Sequence, residues 1–504
     1  MRNKKNNYLF LSALLAILLG ACDKTNSHSP STPNVIIIYM DDLGYGDLGA
    51  YGATSLKTPN FDKIANEGVR FTDGHATSST CTPSRYGLLT GVYPWKKKGV
   101  QILPGSAALL IDTAQLTLPK VFKEKGYNTG IVGKWHLGLG NGNIDWNEHI
   151  SPCPNDIGFD YSYIMAATQD RVPTVYIENG KVDNLNPNDP IEVSYKHNFE
   201  GEPTGRKNPE MLTMMYDHGH DHSIVNGISR IGYMKGGKSA LWSDVDMADH
   251  FLTKAQDFIK GNKEKPFFLY YAMHQPHVPR TPNPRFVGKS GMGPRGDVIV
   301  EADWCVGELL NTLESEGILD NTLIIFSSDN GPVLNDGYKD EAVEKVGNHK
   351  QTGILRGGKY SMFEAGTRVP FMAYWKGKIR PTVSDALICQ IDILSSMAQL
   401  IGSDVSTDDS QALLEVLMGN SQEGRSNLIM EASHKTVLRN GNWVLIPPYK
   451  GAFLARGVNI EIGCDSTWQL YNLKDDISQH KNMAETNPEK LKEMQETYKQ
   501  LLVE

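Results

Sequence analysis

Cys81 begins the segment CTPSRYGLLTG, a setting in which its sulfur could act as a nucleophile. Thr82 is a suitable N-cap and Pro83 is tolerated at a first helical position, so the spacing predicts a helix that begins just after Cys81. The free backbone N–H groups and the positive dipole end at such a start favour an anion. Arg85, one turn further along, adds a positive charge. These residues predict a reactive group beside an anion-binding helix end.

Four short apolar runs each lead into polar residues, and helical stretches separate them. This alternation indicates an α/β fold with a largely parallel sheet. Ligands bind beyond the carboxyl ends of such strands, so polar groups that are far apart in sequence can meet there. The runs are residues 34–40, leading to Asp41 and Asp42; 126–132, leading to Lys134 and His136; 266–273, leading to His274 and His277; and 323–328, leading to Asp329 and Asn330.

The rest of the sequence predicts the loops, helices and C-terminal strands that surround this sheet. Residues 140–243 are rich in Asn, Pro, Gly and Tyr, which is typical of long loops over a sheet. Polar residues at 404–424 are typical of a linker. Helices are predicted at 58–67, 246–260 and 392–401 and from Pro488, and C-terminal strand segments at 437–446 and 468–473.

The string around Cys81 resembles the signature of the sulfatase family, in which a cysteine followed by x-Pro-Ser-Arg and then Leu-x-Thr-Gly is oxidised to formylglycine. The resemblance extends from Asn34 to about Trp375. It implies a sulfuric ester hydrolase with the alkaline-phosphatase-like fold. That fold is α/β, a large mixed, mostly parallel sheet sandwiched by helices, with a small C-terminal α+β subdomain.

The resemblance also implies one divalent metal ion per chain. Asp41 and Asp42, in MDDLGYGDLG, resemble the first ligand cluster of the family, and Asp329 and Asn330, in SSDNG, resemble the second. The modified side chain of Cys81 completes the set. Carboxylate and amide oxygens suit Ca²⁺, with Mg²⁺ as the alternative. One acidic pair alone would be more typical of a turn at a strand end, but two pairs together with the cysteine motif favour a metal site.

Cationic and imidazole groups complete the implied site. The segment GKWHLG carries Lys134, implied to bind the metal-held oxygen or the sulfate, and His136, implied to be the base that acts on the modified residue. Lys359, ahead of FEAGTRVP, matches the second sulfate-binding lysine. In HQPHVP the family pattern favours His277 as the group that contacts the sulfate and protonates the leaving oxygen. His274 is either a neighbouring substrate-binding alternative or a structural histidine.

The same resemblance implies a mechanism. The aldehyde made from Cys81 is hydrated, and one of its oxygens attacks sulfur in line while Arg85, the two lysines and the metal stabilise charge on the sulfuryl oxygens. His277 protonates the departing alcohol. His136 then removes the proton from the second hydroxyl, which expels sulfate and restores the aldehyde. A thiol could not take this last step, which is the chemical reason for modifying the cysteine.

Substrate-binding residues are expected in the loop region. The segment AATQDRV contains Asp170 and Arg171, and DHGHDH contains His220. Together with DRVPTVYIENG and NGISRIGYMKGGK, these segments resemble bacterial sulfatases that remove 6-O-sulfate from galactose or N-acetylgalactosamine of host glycans of the mucin or chondroitin type. The three residues are therefore expected to hold the sugar. A loop-bracing salt bridge is an equal alternative for Arg171, and a second metal at DHGHDH is a weaker one.

Other functions stay open at this point. A sulfatase for another sulfate position is one alternative. A phosphatase or phosphodiesterase of the same superfamily is another, although a serine or threonine nucleophile would then be expected in place of Cys81. A non-catalytic glycan-binding lipoprotein is a third, and the joint presence of metal-binding and catalytic residue types argues against it.

The first residues resemble a bacterial lipoprotein signal, because basic residues precede an apolar run at 8–19 and Leu-Gly-Ala precedes Cys22. Export to the periplasm or cell surface is therefore expected, with membrane contact only through a lipid on Cys22; an ordinary cleaved signal is the alternative. The expected partners are a sulfated glycan and a formylglycine-generating maturation enzyme. The predicted organisation is a signal peptide (1–21), a lipidated tether (22–33), a sulfatase domain (34–405) and a C-terminal subdomain (406–504).

Composition excludes some classes of protein. Hydrophobic residues make up 40% of the 504 residues and the net charge is −8, which favours a sizeable core and argues against a nucleic-acid binder. No CxxC pair occurs, so a zinc site of the usual spacing is not expected. With Cys22 and Cys81 assigned, the other four cysteines either pair or stay buried and reduced; they are Cys153, Cys305, Cys389 and Cys464.

Overall fold

The computed structural model describes residues 32–503. The predicted signal peptide and the predicted lipid-carrying Cys22 lie outside the described residues. From Pro33 onward the chain forms one compact unit. Across residues 32–503, no helix is both long and apolar enough to cross a membrane.

Strands run through the whole of this unit. In chain order, those of residues 32–503 are β1 (Asn34–Met40), β2 (Val69–Phe71), β3 (Gly74–His75), β4 (Asn128–Lys134), β5 (Tyr161–Met165), β6 (Tyr176–Glu178), β7 (Lys181–Val182), β8 (Glu192–Ser194), β9 (Ile224–Val225), β10 (Ile228–Ser229), β11 (Tyr233–Lys235), β12 (Phe267–Ala272), β13 (Thr322–Ser328), β14 (Phe371–Tyr374), β15 (Thr382–Ser384), β16 (Ile388–Cys389), β17 (Asn427–Ala432), β18 (Lys435–Asn440), β19 (Trp443–Ile446), β20 (Leu454–Ala455), β21 (Ile460–Glu461) and β22 (Gln469–Asn472).

α-Helices connect the strands and cover them. In the same part of the chain they are α1 (Pro59–Glu67), α2 (Cys81–Thr90), α3 (Leu118–Glu124), α4 (Met247–Asn262), α5 (Gly293–Ser315), α6 (Ala342–Lys345), α7 (Ile393–Leu400), α8 (Leu414–Leu417) and α9 (Pro488–Val503).

A ten-stranded sheet forms the centre of the fold, in the order β15-β2-β14-β13-β1-β12-β4-β5-β6-β7. The central strands β13, β1, β12, β4 and β5 run parallel to one another. Antiparallel pairs occur on both sides of this centre, at β13–β14 and β14–β2 and at β5–β6 and β6–β7. The predicted large, mixed and mostly parallel sheet is therefore confirmed.

Helices cover both faces of the central sheet. On β1, Val35 and Ile37 contribute to a core shared with α2, α3 and α7, whereas Ile36 and Ile38 contribute to a core shared with α1, α4 and α5. None of these side chains is exposed. A strand buried on both faces has no polar side to show, which is why the run NVIIIYM is apolar without alternation.

The strand predicted over 34–40 is confirmed, and the other three predicted central strands form within two residues of their expected ends. The largest shift is at β4, which begins two residues later than predicted because Gly126 has φ 83° and belongs to the turn after α3. The described cysteines, including Cys153, Cys305, Cys389 and Cys464, are free and buried.

A four-stranded antiparallel sheet, β17-β18-β19-β22, forms from the C-terminal residues and shares a core with α9. The segment predicted as strand-like at 437–446 is a hairpin, with a turn at Gly441. Arg439 of β18 donates to Asp73 (2.8 Å) and Glu364 (3.0 Å), so a buried ion-pair network links this sheet to the segments beside the main sheet. A domain boundary at 405–406 stays a prediction.

Candidate active site

Cys81 is the first residue of α2. The N-cap residue is Thr80, so the predicted cap at Thr82 is wrong; proline is tolerated anywhere in a first turn, and Pro83 therefore does not mark where the helix begins. The hydroxyl of Thr82 donates to the carbonyl of His136 (2.9 Å). Cys81 is 2% exposed, and every residue of α2 is buried. Its thiol thus lies inside the protein at the positive end of a helix dipole.

The polar groups after β13, β1, β12 and β4 meet because these four strands are neighbours in the sheet. Nζ of Lys134 donates to Oδ2 of Asp41 at 2.6 Å. Nε and Nη2 of Arg85 donate to Oδ2 of Asp329 at 3.0 and 2.8 Å. All four side chains are buried, so the charges balance one another without help from solvent.

Lys359 lies between two carboxylates. Its Nζ donates to Oδ2 of Asp42 (2.9 Å) and to Oδ2 of Asp336 (2.8 Å). Burial alone would lower the pKa of Lys359, but Asp336 and Asp42 raise it well above its ordinary value, so this lysine is charged. Nδ2 of Asn330 donates to the other oxygen of Asp42 (2.7 Å). Asp42 has φ 63°, a left-handed conformation that the surrounding contacts must hold.

Two oxygen atoms of this cluster, Oδ1 of Asp41 and Oδ1 of Asn330, are buried and accept no hydrogen bond from any part of the chain that the structure describes. A buried oxygen without a partner is costly unless a donor or a cation satisfies it. Ligand atoms of Asp41, Asp42 and His277 lie within 4.8 Å of one another. Burial raises the pKa of Asp41 well above its ordinary value, and a cation would oppose that effect. These residues fit a hard divalent cation.

His136 presents an unprotonated nitrogen to position 81. Its Nε2 lies 2.9 Å from the carbonyl oxygen of Leu103. A carbonyl only accepts, so Nε2 carries the proton and Nδ1, which is 3.3 Å from Sγ of Cys81, is bare in the neutral ring. Burial, followed by the charge of Lys134, lowers the pKa of His136 well below its ordinary value. Burial also raises the pKa of the Cys81 thiol.

His277 has the opposite orientation. Its Nδ1 donates to the carbonyl of Val278 (2.7 Å), which leaves Nε2 directed at the cluster, 3.8 Å from Oδ2 of Asp42. Burial, followed by the charge of Lys359, lowers the pKa of His277 well below its ordinary value. The ring is therefore neutral here, and an incoming anion would favour its protonated form.

The structure brings Asp170, Arg171 and His220 into one hydrogen-bonded group. Nη1 of Arg171 donates to Oδ1 of Asp170 at 2.9 Å, and Nε2 of His220 lies 2.8 Å from Oδ2. Nδ1 of His220 lies 2.8 Å from the carbonyl of His218, so both ring nitrogens face acceptors. Burial would raise the pKa of Asp170, but Arg171 and His220 lower it well below its ordinary value. An ionised Asp170 therefore faces two donors.

This group lies close to the reaction centre. The charge of Arg171 interacts with Cys81, and that of Asp170 interacts with His277. The salt bridge considered for Arg171 is present, so this arginine braces the loop. His274 is less directly involved: its ring packs 6.1 Å from that of Phe251, and burial lowers its pKa to about 3.

A second metal site at DHGHDH finds no support. In residues 32–503, one further cluster of potential ligands exists besides the one described above, at Asp73, His75 and Glu364. Arg368 and Arg439 donate to the carboxylates of that cluster, so it is a charge-balanced ion-pair network. It lies outside DHGHDH.

Sequence reasoning missed Asp336 and the carbonyl of Leu103. Asp336 follows the SSDNG motif by a few residues, and an acidic residue in the loop after a metal-binding strand end was the available signal. No pattern pointed to Leu103, because a backbone carbonyl is present at every residue. These two groups orient Lys359 and His136, respectively.

Comparison with known proteins agrees with this geometry. The sulfatase family model matches residues 33–403. The chain is 48% identical over 490 residues to the N-acetylgalactosamine-6-O-sulfatase of Bacteroides thetaiotaomicron, which covers 96% of both proteins. It is 32% identical over 433 residues to human arylsulfatase A, which covers 84% of this chain and 75% of that protein.

Solved structures agree as well. A structure from a study of the metabolism of multiple glycosaminoglycans by Bacteroides thetaiotaomicron has a TM-score of 0.93 and 48% identity, covering 94% of this chain and 100% of that one. The PsFucS1 sulfatase of Pseudoalteromonas sp., at 24% identity and a TM-score of 0.69, shares the fold over 94% of this chain and 90% of its own. The chain therefore belongs to the sulfatase family and is a sulfuric ester hydrolase with the alkaline-phosphatase-like fold.

Proposed function

We propose that this chain hydrolyses the 6-O-sulfate ester of N-acetylgalactosamine or galactose in host glycans, with a formylglycine made from Cys81 as the nucleophile. The observation that carries the proposal is the 48% identity, over 96% of both chains, to an N-acetylgalactosamine-6-O-sulfatase. The contact of Cys81 with His136, beside two lysines and a cluster of carboxylates, supports the chemistry.

In the proposed reaction, an oxygen of the hydrated aldehyde at position 81, ionised among the surrounding cations, attacks sulfur and the bond from sulfur to the sugar O6 breaks. His277, which the bound anionic sulfate favours in its protonated form, gives the proton on Nε2 to O6. His136, through its bare Nδ1, then takes the proton from the second hydroxyl at position 81, the bond from carbon to the sulfated oxygen breaks, and sulfate leaves as the aldehyde re-forms. The 3.3 Å separation of Nδ1 and Sγ supports this role for His136.

The surrounding cations hold the sulfate. Lys134 and Lys359 are the groups proposed to contact its oxygens. Lys134 donates to Asp41 and Lys359 donates to Asp42, so the two lysines lie beside different members of this acidic pair. Arg85 already donates from all three guanidinium nitrogens, to Asp329, to the Lys134 carbonyl and to Tyr270. Its contribution is therefore to fix Asp329 and to add positive potential.

The proposed ligands of one Ca²⁺ are Asp41, Asp42, Asp329, Asn330 and residue 81. When bound, a divalent cation stabilises negative charge on the sulfuryl oxygens. Mg²⁺ is the alternative, and activity measured after chelation and re-addition of each ion distinguishes the two.

Asp170, Arg171 and His220 are proposed to bind hydroxyl groups of the sugar. An ionised carboxylate that faces two donors can exchange part of this pairing for hydrogen bonds to a diol. The test is sulfate release from N-acetylgalactosamine-6-sulfate, galactose-6-sulfate and their 4-sulfate isomers by wild type, Cys81→Ala and His220→Ala. His480→Ala, which removes an exposed histidine, is the matched control.

Wild type is expected to act on both 6-sulfates and Cys81→Ala on neither. His220→Ala should lower kcat/KM by about 10- to 100-fold, because a hydrogen bond to a charged group is lost. Release from the 4-sulfates alone would refute the proposed sulfate position while leaving the family assignment intact.

The proposed route to the active protein is export, with a lipid on Cys22 as the only membrane contact, and modification of Cys81 by a formylglycine-generating enzyme. Labelling with a fatty-acid analogue should mark the wild type and fail to mark Cys22→Ala. Labelling of both proteins would contradict the anchor at Cys22.

A further inference from the structure

The β20–β21 hairpin reaches the active site from the C-terminal part of the chain. Its strands pair antiparallel and leave residues 456–459 as a four-residue loop. The carbonyl of Glu461 accepts a hydrogen bond from Ser361 (2.6 Å), and its carboxylate pairs with Arg356 (2.5 Å). These contacts hold the hairpin against the segment that carries Lys359.

Both sides of the loop lie next to groups of the site. A Cβ placed on Gly457 would lie 3.5 Å from Nε2 of His218, the residue whose carbonyl contacts His220. A Cβ placed on the glycine before Lys359 would lie 3.3 Å from Cδ1 of Ile460. The loop therefore lies between His218, whose carbonyl contacts the proposed sugar-binding group, and the segment that carries the proposed sulfate-binding lysine.

Arg456 is the charged residue of this loop. It is exposed, and its side chain makes no hydrogen bond, ion pair or ring contact with any residue in the range 32–503. The cations deeper in the site differ, since Lys359 and Arg171 are paired with carboxylates. A free guanidinium offers planar, paired donors that match a carboxylate or a sulfate.

The geometry points to Arg456 as a specificity-determining residue, which binds an anionic group on the sugar next to the one whose sulfate is cleaved. The carboxylate of a uronic acid and a second sulfate present the same oxyanion chemistry. This inference rests on the proposed function. It predicts that the enzyme favours charged oligosaccharides over the sulfated monosaccharide.

The test compares kcat/KM of wild type and Arg456→Gln on substrates that share the scissile 6-sulfate. These are the monosaccharide, a disaccharide with a neighbouring uronic acid, the same disaccharide with its carboxyl reduced to the alcohol, and the reduced disaccharide with a sulfate on the neighbouring sugar. Arg456→Gln should lower kcat/KM roughly tenfold on the substrates with a neighbouring anion. This loss in kcat/KM should become smaller as the salt concentration is raised. On the monosaccharide and on the carboxyl-reduced disaccharide without a second sulfate, Arg456→Gln should lower kcat/KM by less than twofold.

Arg380→Gln is the matched control. Arg380 is exposed and lies two residues before β15, which runs parallel to the central strands, so it lies at the amino-end edge of the sheet, opposite the site. If Arg456→Gln loses kcat/KM only on the uronic-acid disaccharide, or only on the disaccharide with the second sulfate, the result identifies which anion Arg456 binds and supports the inference. Arg456→Lys should retain part of the preference.

If Arg456→Gln loses kcat/KM equally on all four substrates, or on none of them, the inference is overturned. The proposed function would still stand in that case, provided that the wild type releases the 6-sulfate. A wild type that releases no 6-sulfate from any of them would overturn both.

Discussion

Replacing Asp47 with asparagine tests whether a buried ion pair holds the loop that follows Asp41 and Asp42. The Asp47 carboxylate accepts hydrogen bonds from Arg295 at 2.8 and 2.6 Å and lies 2.8 Å from Nε2 of His349. Burial alone would raise the pKa of Asp47, but Arg295 and His349 lower it to about 2 from an ordinary value of 3.8. That difference corresponds to about 2 kcal/mol. Asparagine would also leave Arg295 buried without its counter-ion. The total loss in the free energy of unfolding should therefore be about 3–5 kcal/mol.

Thermal unfolding at pH 7, followed by tryptophan fluorescence, measures this loss. An unfolding entropy of about 2 cal/mol/K per residue over roughly 470 residues is about 1 kcal/mol/K, so the Tm of Asp47→Asn should fall by about 3–5 °C. The control Asp257→Asn, which removes an exposed acid on α4, should shift Tm by less than about 1 °C. A Tm for Asp47→Asn that matches the control would refute the reasoning.

The pH dependence has a definite sign. Because the folded-state pKa of Asp47 is below its unfolded value, the ion pair stabilises the protein above about pH 4 and loses its effect as the pH falls toward 2. The difference in stability between wild type and Asp47→Asn should therefore narrow below pH 4, as measured by urea unfolding at each pH. A difference that widens on acidification would contradict this assignment.

Three further predictions concern the site. His136→Ala should lower kcat by about 10²- to 10⁴-fold and accumulate a sulfated residue 81, which mass spectrometry of that peptide would detect; a slow variant without this species would argue against the base role. Removal of divalent ions should abolish sulfate release, with Ca²⁺ restoring it better than Mg²⁺, and full activity in excess chelator would count against the Asp41–Asn330 cluster as a metal site. The peptide that contains Cys81 should carry an aldehyde when the protein comes from cells with a maturation enzyme, whereas an active protein with an intact thiol throughout would exclude formylglycine.

The central sheet and the meeting of its polar groups were predictable for a physical reason. A strand buried on both faces must be apolar at every position, so NVIIIYM stands out in the sequence, and its end next to Asp41 is equally visible. Parallel strands present their carboxyl ends at one edge, which brings Asp41 together with Lys134, His277 and Asp329.

The remaining details depend on contacts between segments that no local pattern records. Thr80 rather than Thr82 occupies the N-cap position of α2, and the sequence could not distinguish them because the two threonines on either side of Cys81 are equally suited to that position. Asp336 pairs with Lys359 across a loop, and the carbonyl that fixes the tautomer of His136 belongs to Leu103. The closeness of Gly457 to His218 likewise depends on how the β20–β21 hairpin packs.

The burial of α2 has a consequence for how the enzyme is made. With Cys81 2% exposed at the start of a helix that is buried along its whole length, another protein cannot reach the thiol once the chain has folded. If Cys81 is converted to formylglycine as proposed, oxidation by the maturation enzyme must precede folding, and the two processes compete in time. Conditions that speed folding would raise the yield of soluble protein and at the same time lower the fraction of molecules able to turn over.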